Sequence, residues 1–126
     1  MTFKERLSGF SEMQRGVLAR LVDMRDAIRW IQRQTEHVGR AEFERNVPLR
    51  AAVERWLEII SEASRHVPDT AKARHPQIEW RKIAGIGNVL RHDYQNVAPG
   101  IIWDTIQLDL DALRAVVDDL IANEQT

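Results

Sequence analysis

The sequence of 126 residues contains no cysteine. This absence excludes disulfide bonds, thiol nucleophiles, iron–sulfur clusters and cysteine-ligated zinc, and it makes a reducing cytoplasm the expected compartment. The chain also has no apolar run near the roughly 20 residues that a transmembrane helix needs, and its first residues, MTFKERLSGF, lack the apolar block of a secretory signal. We therefore expect a soluble, cytoplasmic protein.

Charge is nearly balanced overall but unevenly distributed. The formal net charge of -1 argues against a protein that binds nucleic acid through bulk positive charge. Residues 1–91 nevertheless carry 17 basic and 12 acidic side chains, a net +5, whereas residues 92–126 carry one basic and seven acidic side chains, a net −6. Fifteen of the 18 basic residues are arginine, which suits bidentate phosphate contacts. A GC-rich genome would produce the same bias, so composition alone leaves nucleic-acid binding open.

The length and the apolar content of the chain are those of one folded domain. A mass of 14.6 kDa leaves little room for a second domain. Because a protein of this size buries about two thirds of its unfolded surface, the 44% of hydrophobic residues can form a core. We predict a single domain over residues 1–126, in which residues 1–12 lack an apolar stripe and are expected to be frayed.

Helical periodicity dominates the sequence, and no segment shows the alternation of a β-strand. Apolar residues at steps of three and four predict four long helices, over about residues 13–37, 48–67, 79–94 and 99–123. Single helical turns are expected at 40–46 and 69–74, and Gly39 is expected to end the first long helix. The pattern predicts an all-α fold, an antiparallel bundle of four to five helices. In such a bundle a core position is favoured over base stacking for each of the four tryptophans.

The histidines do not have the spacing of a metal site. They are His37, His66, His75 and His92. No two lie four residues apart, and no His-Glu-x-x-His motif occurs, so we expect neither a metal nor another cofactor. The lone pair Gly85 and Gly87 follows no strand, and it is interpreted as permitting close helix contact or a bend rather than as a phosphate loop.

A dense polar cluster, Arg91-His92-Asp93-Tyr94, ends the third long helix. It is also typical of a solvated helix terminus, where basic side chains complement the helix dipole. At helical spacing Arg81, Gly85, Asn88 and His92 share one face apart from the apolar stripe. Arg81 precedes His92 by eleven residues, roughly 16 Å along a helix, too far for both to hold one phosphate without a bend or a second protomer.

Four short motifs within residues 48–117 carry a resemblance to a known family. They are Leu57–Ala63 (LEIISEA), Ile78–Ile83 (IEWRKI), Asn88–Tyr94 (NVLRHDY) and Ile102–Asp104 (IWD). This block resembles the HepT-like branch of the HEPN superfamily. Members of that branch are small helical bundles that dimerise, and they act as toxins in two-gene modules whose antitoxin is a minimal nucleotidyltransferase. Active members are metal-independent ribonucleases with a motif of Arg, four to six residues, His, one residue and Tyr.

The resemblance assigns roles to individual residues of this chain. His92 matches the motif histidine, Tyr94 matches the tyrosine that the partner enzyme modifies with AMP, and Asn88 matches the polar residue after the motif arginine. The arginine itself is missing, because residues 85–87 are Gly, Ile and Gly. Arg91 is the nearest substitute.

Two functions follow from the resemblance. The first is a dimeric toxin that cleaves RNA with His92 as general acid and base, helped by Arg91 and Asn88, with Arg81 as a phosphate contact, and that a nucleotidyltransferase neutralises through Tyr94. The second is a catalytically inactive HEPN helical subunit that binds the nucleotidyltransferase. Because the motif arginine is missing, the sequence does not decide whether the protein is an active ribonuclease or a catalytically inactive subunit. A helical interaction protein unrelated to either is the third reading.

Overall fold

The computed structural model describes residues 12–93 and 97–125, and these residues form α-helices and connections without a strand. The helices are α1 (Glu12–Thr35), α2 (Arg40–Arg45), α3 (Val47–Ser64), α4 (Asp69–Ala73), α5 (Trp80–Asp93) and α6 (Pro99–Gln125). The all-α prediction is confirmed, with four long helices and two short ones. Of the segment expected to be frayed, residues 1–11 lie outside the described residues, whereas Glu12 belongs to α1.

Side-chain hydrogen bonds account for where two of the helices begin or end, and the sequence predicted one of these two ends. Asn46 caps α3, because its Oδ1 accepts a hydrogen bond from the Leu49 N–H at 3.1 Å, and a proline occupies the first turn. The prediction for Gly39 was wrong. Gly39 has an extended backbone (φ -86°, ψ 166°) and precedes α2, whereas α1 already ends at Thr35. The Thr35 hydroxyl donates to the Ile31 carbonyl at 2.7 Å there, so no left-handed glycine is needed.

The predicted apolar stripes form the core between the long helices. α1 packs against α3 and α6, and α3 packs against α5 on its other side. Along α6 the buried residues recur at the predicted steps of three and four: Ile102, Ile106, Leu110, Leu113, Val117 and Leu120. α1 and α3 run antiparallel, since Ala63 lies near Arg20 and Trp56 against Trp30.

Helix α2 closes one end of the bundle. Phe43 is fully buried, with its ring 5.4 Å from that of Trp103 in α6. Arg40 links the two helices, since its guanidinium lies 3.2 Å from Asp104 and also contacts Glu44. Gly100 leaves room for this guanidinium, because a Cβ at that position would collide with it.

At the opposite end, the connector between α3 and α5 folds back onto α6. His75 Nε2 lies 3.1 Å from a carboxylate oxygen of Asp119. The backbone carbonyl of His75 accepts a hydrogen bond from the Trp80 indole N–H at 3.1 Å. The connector buries Val67 and Ile78. None of the helices in the described part of the chain combines the length and the apolar character required to cross a membrane.

Candidate functional site

Helix α5 carries Arg81, Asn88, Arg91 and His92, and Ser61 of α3 forms two hydrogen bonds to its backbone. The Ser61 hydroxyl donates to the Ala84 carbonyl at 2.8 Å and accepts from the Gly87 N–H at 2.9 Å. A Cβ on Gly87 would stand 2.9 Å from this hydroxyl oxygen. Gly87 therefore permits close helix contact, as the sequence suggested, whereas a Cβ on Gly85 would meet nothing within 4 Å.

The contact with Ser61 turns the polar face of α5 to solvent. Arg81, Asn88 and His92 are all exposed, and Gly85 between them is half-buried. Asn88 lies one helical turn before His92, so these two side chains are neighbours on the surface. α5 is continuous from Trp80 to Asp93, and the helical rise keeps Arg81 about 16 Å from His92. The structure thus brings Asn88 and His92 together and leaves Arg81 apart.

Arg91 points away from His92, because adjacent residues on a helix project about 100° apart. It lines an open cavity of about 310 Å³ over α3, which His92 does not line. Arg20 of α1 and Arg55 of α3 line the same cavity, as do the acidic residues Asp23, Glu58 and Glu62. We call this cavity the arginine cleft. Asn88, three residues before Arg91 and four before His92, is the surface neighbour of both.

No pattern in the sequence indicated that Arg20 and Arg55 belong to a candidate site. Each lies outside the apolar stripe of its own helix, like many other charged residues. Only the packing of three helices brings both of them to the cleft with Arg91. The Arg55 guanidinium is 3.3 Å from Glu58, and both side chains reach solvent. Because the Arg55 side chain is 69% exposed and that of Glu58 only 21%, the arginine can turn toward a ligand anion, but it then leaves a partly buried carboxylate without this partner.

The second cavity of interest is an apolar groove of about 550 Å³ between α5 and α6. We call it the α5–α6 groove. Ile83 and Ile86 of α5 face Leu108 of α6, which is 76% exposed although its helix buries a complete stripe elsewhere. Lys82 and Asp109 stand on its rim. A hydrogen bond and the charge of Glu79, with a smaller contribution from Asp109, raise the pKa of Lys82, so its ammonium stays charged at neutral pH.

Two further predictions concern the modified tyrosine and metal ligands. Tyr94 lies outside the described residues. Within residues 12–93 and 97–125, no three histidine, aspartate or glutamate side chains come close enough together to hold a metal ion.

Comparison with known proteins identifies the class to which this helical bundle and its exposed α5 face belong. The sequence model of the family described as "Ribonuclease HepT-like" matches residues 24–120, more than half of the chain. The chain is 34% identical over 100 residues to "Probable ribonuclease HepT" of Thermococcus cleftensis, covering 79% of this chain and 91% of that protein. It is 30% identical over 105 residues to "Putative RNase MJ1380" of Methanocaldococcus jannaschii, covering 83% and 96%.

No solved structure gives a significant match. The chain belongs to the HepT-like ribonuclease family. This membership confirms the resemblance on which the site assignments rest, and the roles of the individual residues are taken up as proposals.

Proposed function

We propose that the protein is the toxin subunit of a two-component module and cleaves RNA at the exposed face of α5, with His92 as the general acid and base. One observation carries the proposal: His92 and Asn88 are adjacent and open to solvent within the region that matches a ribonuclease family. A polynucleotide can reach such a face without any opening of the bundle.

The chemistry needs an imidazole and a cation. A neutral imidazole accepts the proton of an RNA 2′-hydroxyl as the oxygen attacks phosphorus, and the imidazolium then donates a proton to the departing 5′-oxygen. The products are a 2′,3′-cyclic phosphate and a 5′-hydroxyl. The requirement for the 2′-hydroxyl selects RNA over DNA.

Negative charge builds on the phosphoryl oxygens in the transition state, where one well-placed donor is worth about 3 kcal/mol. Asn88 is the surface neighbour of both Arg91 and His92, so a phosphate held at its amide lies within reach of both side chains. For Arg91 to take the role of the missing motif arginine, its side chain has to leave the arginine cleft and turn toward this phosphate. Arg81, three turns away, binds a different phosphate of the same strand.

A specific observation favours the second candidate, a non-catalytic subunit that binds the nucleotidyltransferase. Arg91 lines the arginine cleft rather than the same face as His92, and residues 85–87 contain no arginine. A site without a cation at the scissile phosphate loses about two to three orders of magnitude in rate.

Cleavage of a single-stranded RNA in excess chelator separates the two functions. We expect the wild type to cut, His92→Ala to lose at least 100-fold, and Arg91→Ala to lose activity without loss of fold. His37→Ala is the matched control, because His37 is also exposed but lies in the turn after α1. Equal cutting by the wild type and His92→Ala would refute the catalytic role. A wild type that does not cut but binds the nucleotidyltransferase would establish the second candidate.

We further propose that the protein is a homodimer formed through the α5–α6 groove. Apolar side chains in a groove need cover, and the groove offers both a cation, Lys82, and an anion, Asp109, so a second copy related by a twofold axis can complement its charge as well as its apolar surface. Leu108→Glu should therefore yield monomers in sedimentation equilibrium, whereas Gln107→Glu, an exposed neighbour outside the groove, should not. A dimer that survives Leu108→Glu would place the interface elsewhere.

The partner is proposed to be a minimal nucleotidyltransferase that transfers AMP to Tyr94. The phenol oxygen attacks the α-phosphorus of ATP and pyrophosphate leaves. A phosphate and a base attached two residues along the chain from His92 would block access of RNA by charge and volume. Because the chain has one tyrosine, intact-mass analysis after co-expression is decisive: one AMP is expected on the wild type and none on Tyr94→Phe. An unmodified wild type would refute this mode of neutralisation.

A further inference from the structure

A pair of tryptophans lies on the outer surface between α1 and α3, outside the α5 site. The Trp30 and Trp56 rings are stacked, with centroids 6.2 Å apart and planes 12° apart. Trp56 is half-buried, but Trp30 remains 46% exposed. The expectation that each tryptophan is a core residue is therefore wrong for Trp30, whose ring is stacked on Trp56 and still reaches solvent.

Arginines surround the exposed ring. The Arg33 guanidinium lies over the Trp30 ring, 5.6 Å from its centroid, and Arg29 lines the same open depression of about 200 Å³. Because the Arg33 side chain is exposed, it can turn aside when a base stacks on the ring. The one acidic side chain lining it, Asp26, has the Arg25 guanidinium 3.3 Å away. The depression therefore combines an aromatic face with an excess of positive charge.

This combination suits a single-stranded nucleic acid better than a protein. Proteins that bind single strands stack bases on aromatic side chains and hold phosphates with flanking basic residues. A stable protein interface buries about 800 Å² per partner around an apolar centre. Among the described residues of α1, Trp30 is the single large apolar side chain that is exposed, so such a centre is lacking.

The tryptophan pair also adjoins the arginine cleft. Asp23 of α1 lines the cleft, and Asp26, one helical turn further along α1, lines the depression beside Trp30. The two surfaces are therefore neighbours along α1, and one strand is long enough to contact both.

We propose that Trp30, with Arg29 and Arg33, is a second RNA-binding site that stacks one unpaired base and holds its phosphates, away from the residues that cut. This inference rests on the proposed function, because it takes RNA as the ligand. Its role is to fix the strand whose other part lies across Asn88 and His92, so binding at Trp30 lowers KM without entering the chemical step.

The test measures binding apart from cleavage. Fluorescence anisotropy of a labelled 12-nucleotide oligouridine is followed with His92→Ala protein, so that cutting does not interfere. Trp30→Ala should raise Kd by roughly 5- to 150-fold, the range for one stacked base, and Trp30→Phe should raise it less. Arg33→Ala should weaken binding and flatten its salt dependence. Arg74→Ala, an exposed arginine in the connector, is the matched control and should bind like the parent.

Unchanged affinity in both Trp30→Ala and Arg33→Ala would overturn the proposal, and so would variants that bind RNA normally but fail to form a complex with a protein partner. Thermal unfolding identifies a variant that has lost its fold, and Arg33→Ala, on an exposed side chain, keeps the test valid in that case. The outcome is separable from the proposed function, since a wild type that binds through Trp30 but does not cut would refute only the catalysis.

Discussion

The same substitution at two glycines of α5 should have opposite effects on stability. Gly85 and Gly87 lie two residues apart within one helix, and neither has a positive φ. Replacing glycine by alanine inside a helix normally stabilises by about 0.5–1 kcal/mol, because the glycine backbone loses more conformational freedom on folding. Gly85→Ala should realise this gain in full, since its new methyl group meets nothing within 4 Å.

Gly87→Ala raises the helix propensity by the same amount, but its new methyl group clashes with Ser61. Its methyl group would stand 2.9 Å from Ser61 Oγ and 3.1 Å from Ser61 Cβ, closer than packed atoms allow. Overpacking of this kind costs about 1–3 kcal/mol, and moving Ser61 also weakens the hydrogen bond that it accepts from the Gly87 N–H, worth about 1 kcal/mol. We expect a net loss of about 1–3 kcal/mol.

Thermal and urea unfolding of the two variants measure the difference. At about 3–5 °C per kcal/mol for a chain of this size, the Tm should rise by about 2–5 °C for Gly85→Ala and fall by about 3–15 °C for Gly87→Ala. In a Ser61→Gly background the penalty of Gly87→Ala should shrink, because the clashing atoms are gone. Shifts of the same sign for both variants would refute the close contact between α3 and α5.

Three other predictions concern stability. Asn46→Ala removes the cap of α3 and should cost about 1 kcal/mol in urea unfolding, whereas Asn46→Asp should retain most of it. Phe43→Ala empties a fully buried site and should cost about 3–5 kcal/mol; a loss under 1 kcal/mol would contradict the burial. Burial raises the pKa of Glu54, so the protein is relatively more stable with this carboxyl protonated. Glu54→Gln should therefore raise the Tm near pH 7, and the gain should vanish below pH 4.5.

The positions of the long helices were predictable because core packing imposes apolar steps of three and four. The sequence indicated residues 79–94 and 99–123 where the structure has Trp80–Asp93 and Pro99–Gln125. Gly39 was misassigned, since a glycine after a helix is typical of a left-handed cap, whereas here a threonine hydroxyl and a tight turn end α1 four residues earlier.

The site was predictable only where it lies within one helix. Helical spacing placed Asn88 and His92 on one exposed face, which the structure shows. The arginine cleft was not predictable, because Arg20, Arg55 and Arg91 are distant in sequence and meet only through the packing of α1, α3 and α5. The difference between the two glycines was hidden for the same reason, since it depends on which glycine faces Ser61.

The packing of α5 on the bundle determines how fast its amide protons exchange with solvent. α5 packs mainly on α3, with small residues such as Ala84 and Gly87 at the contact, and its other side faces the α5–α6 groove. It therefore buries less apolar surface than α1, which is packed between two long helices. Amide hydrogen exchange in native conditions should be faster in α5 than in α1, through local opening. Any molecule that fills the groove will slow that exchange in proportion to its occupancy.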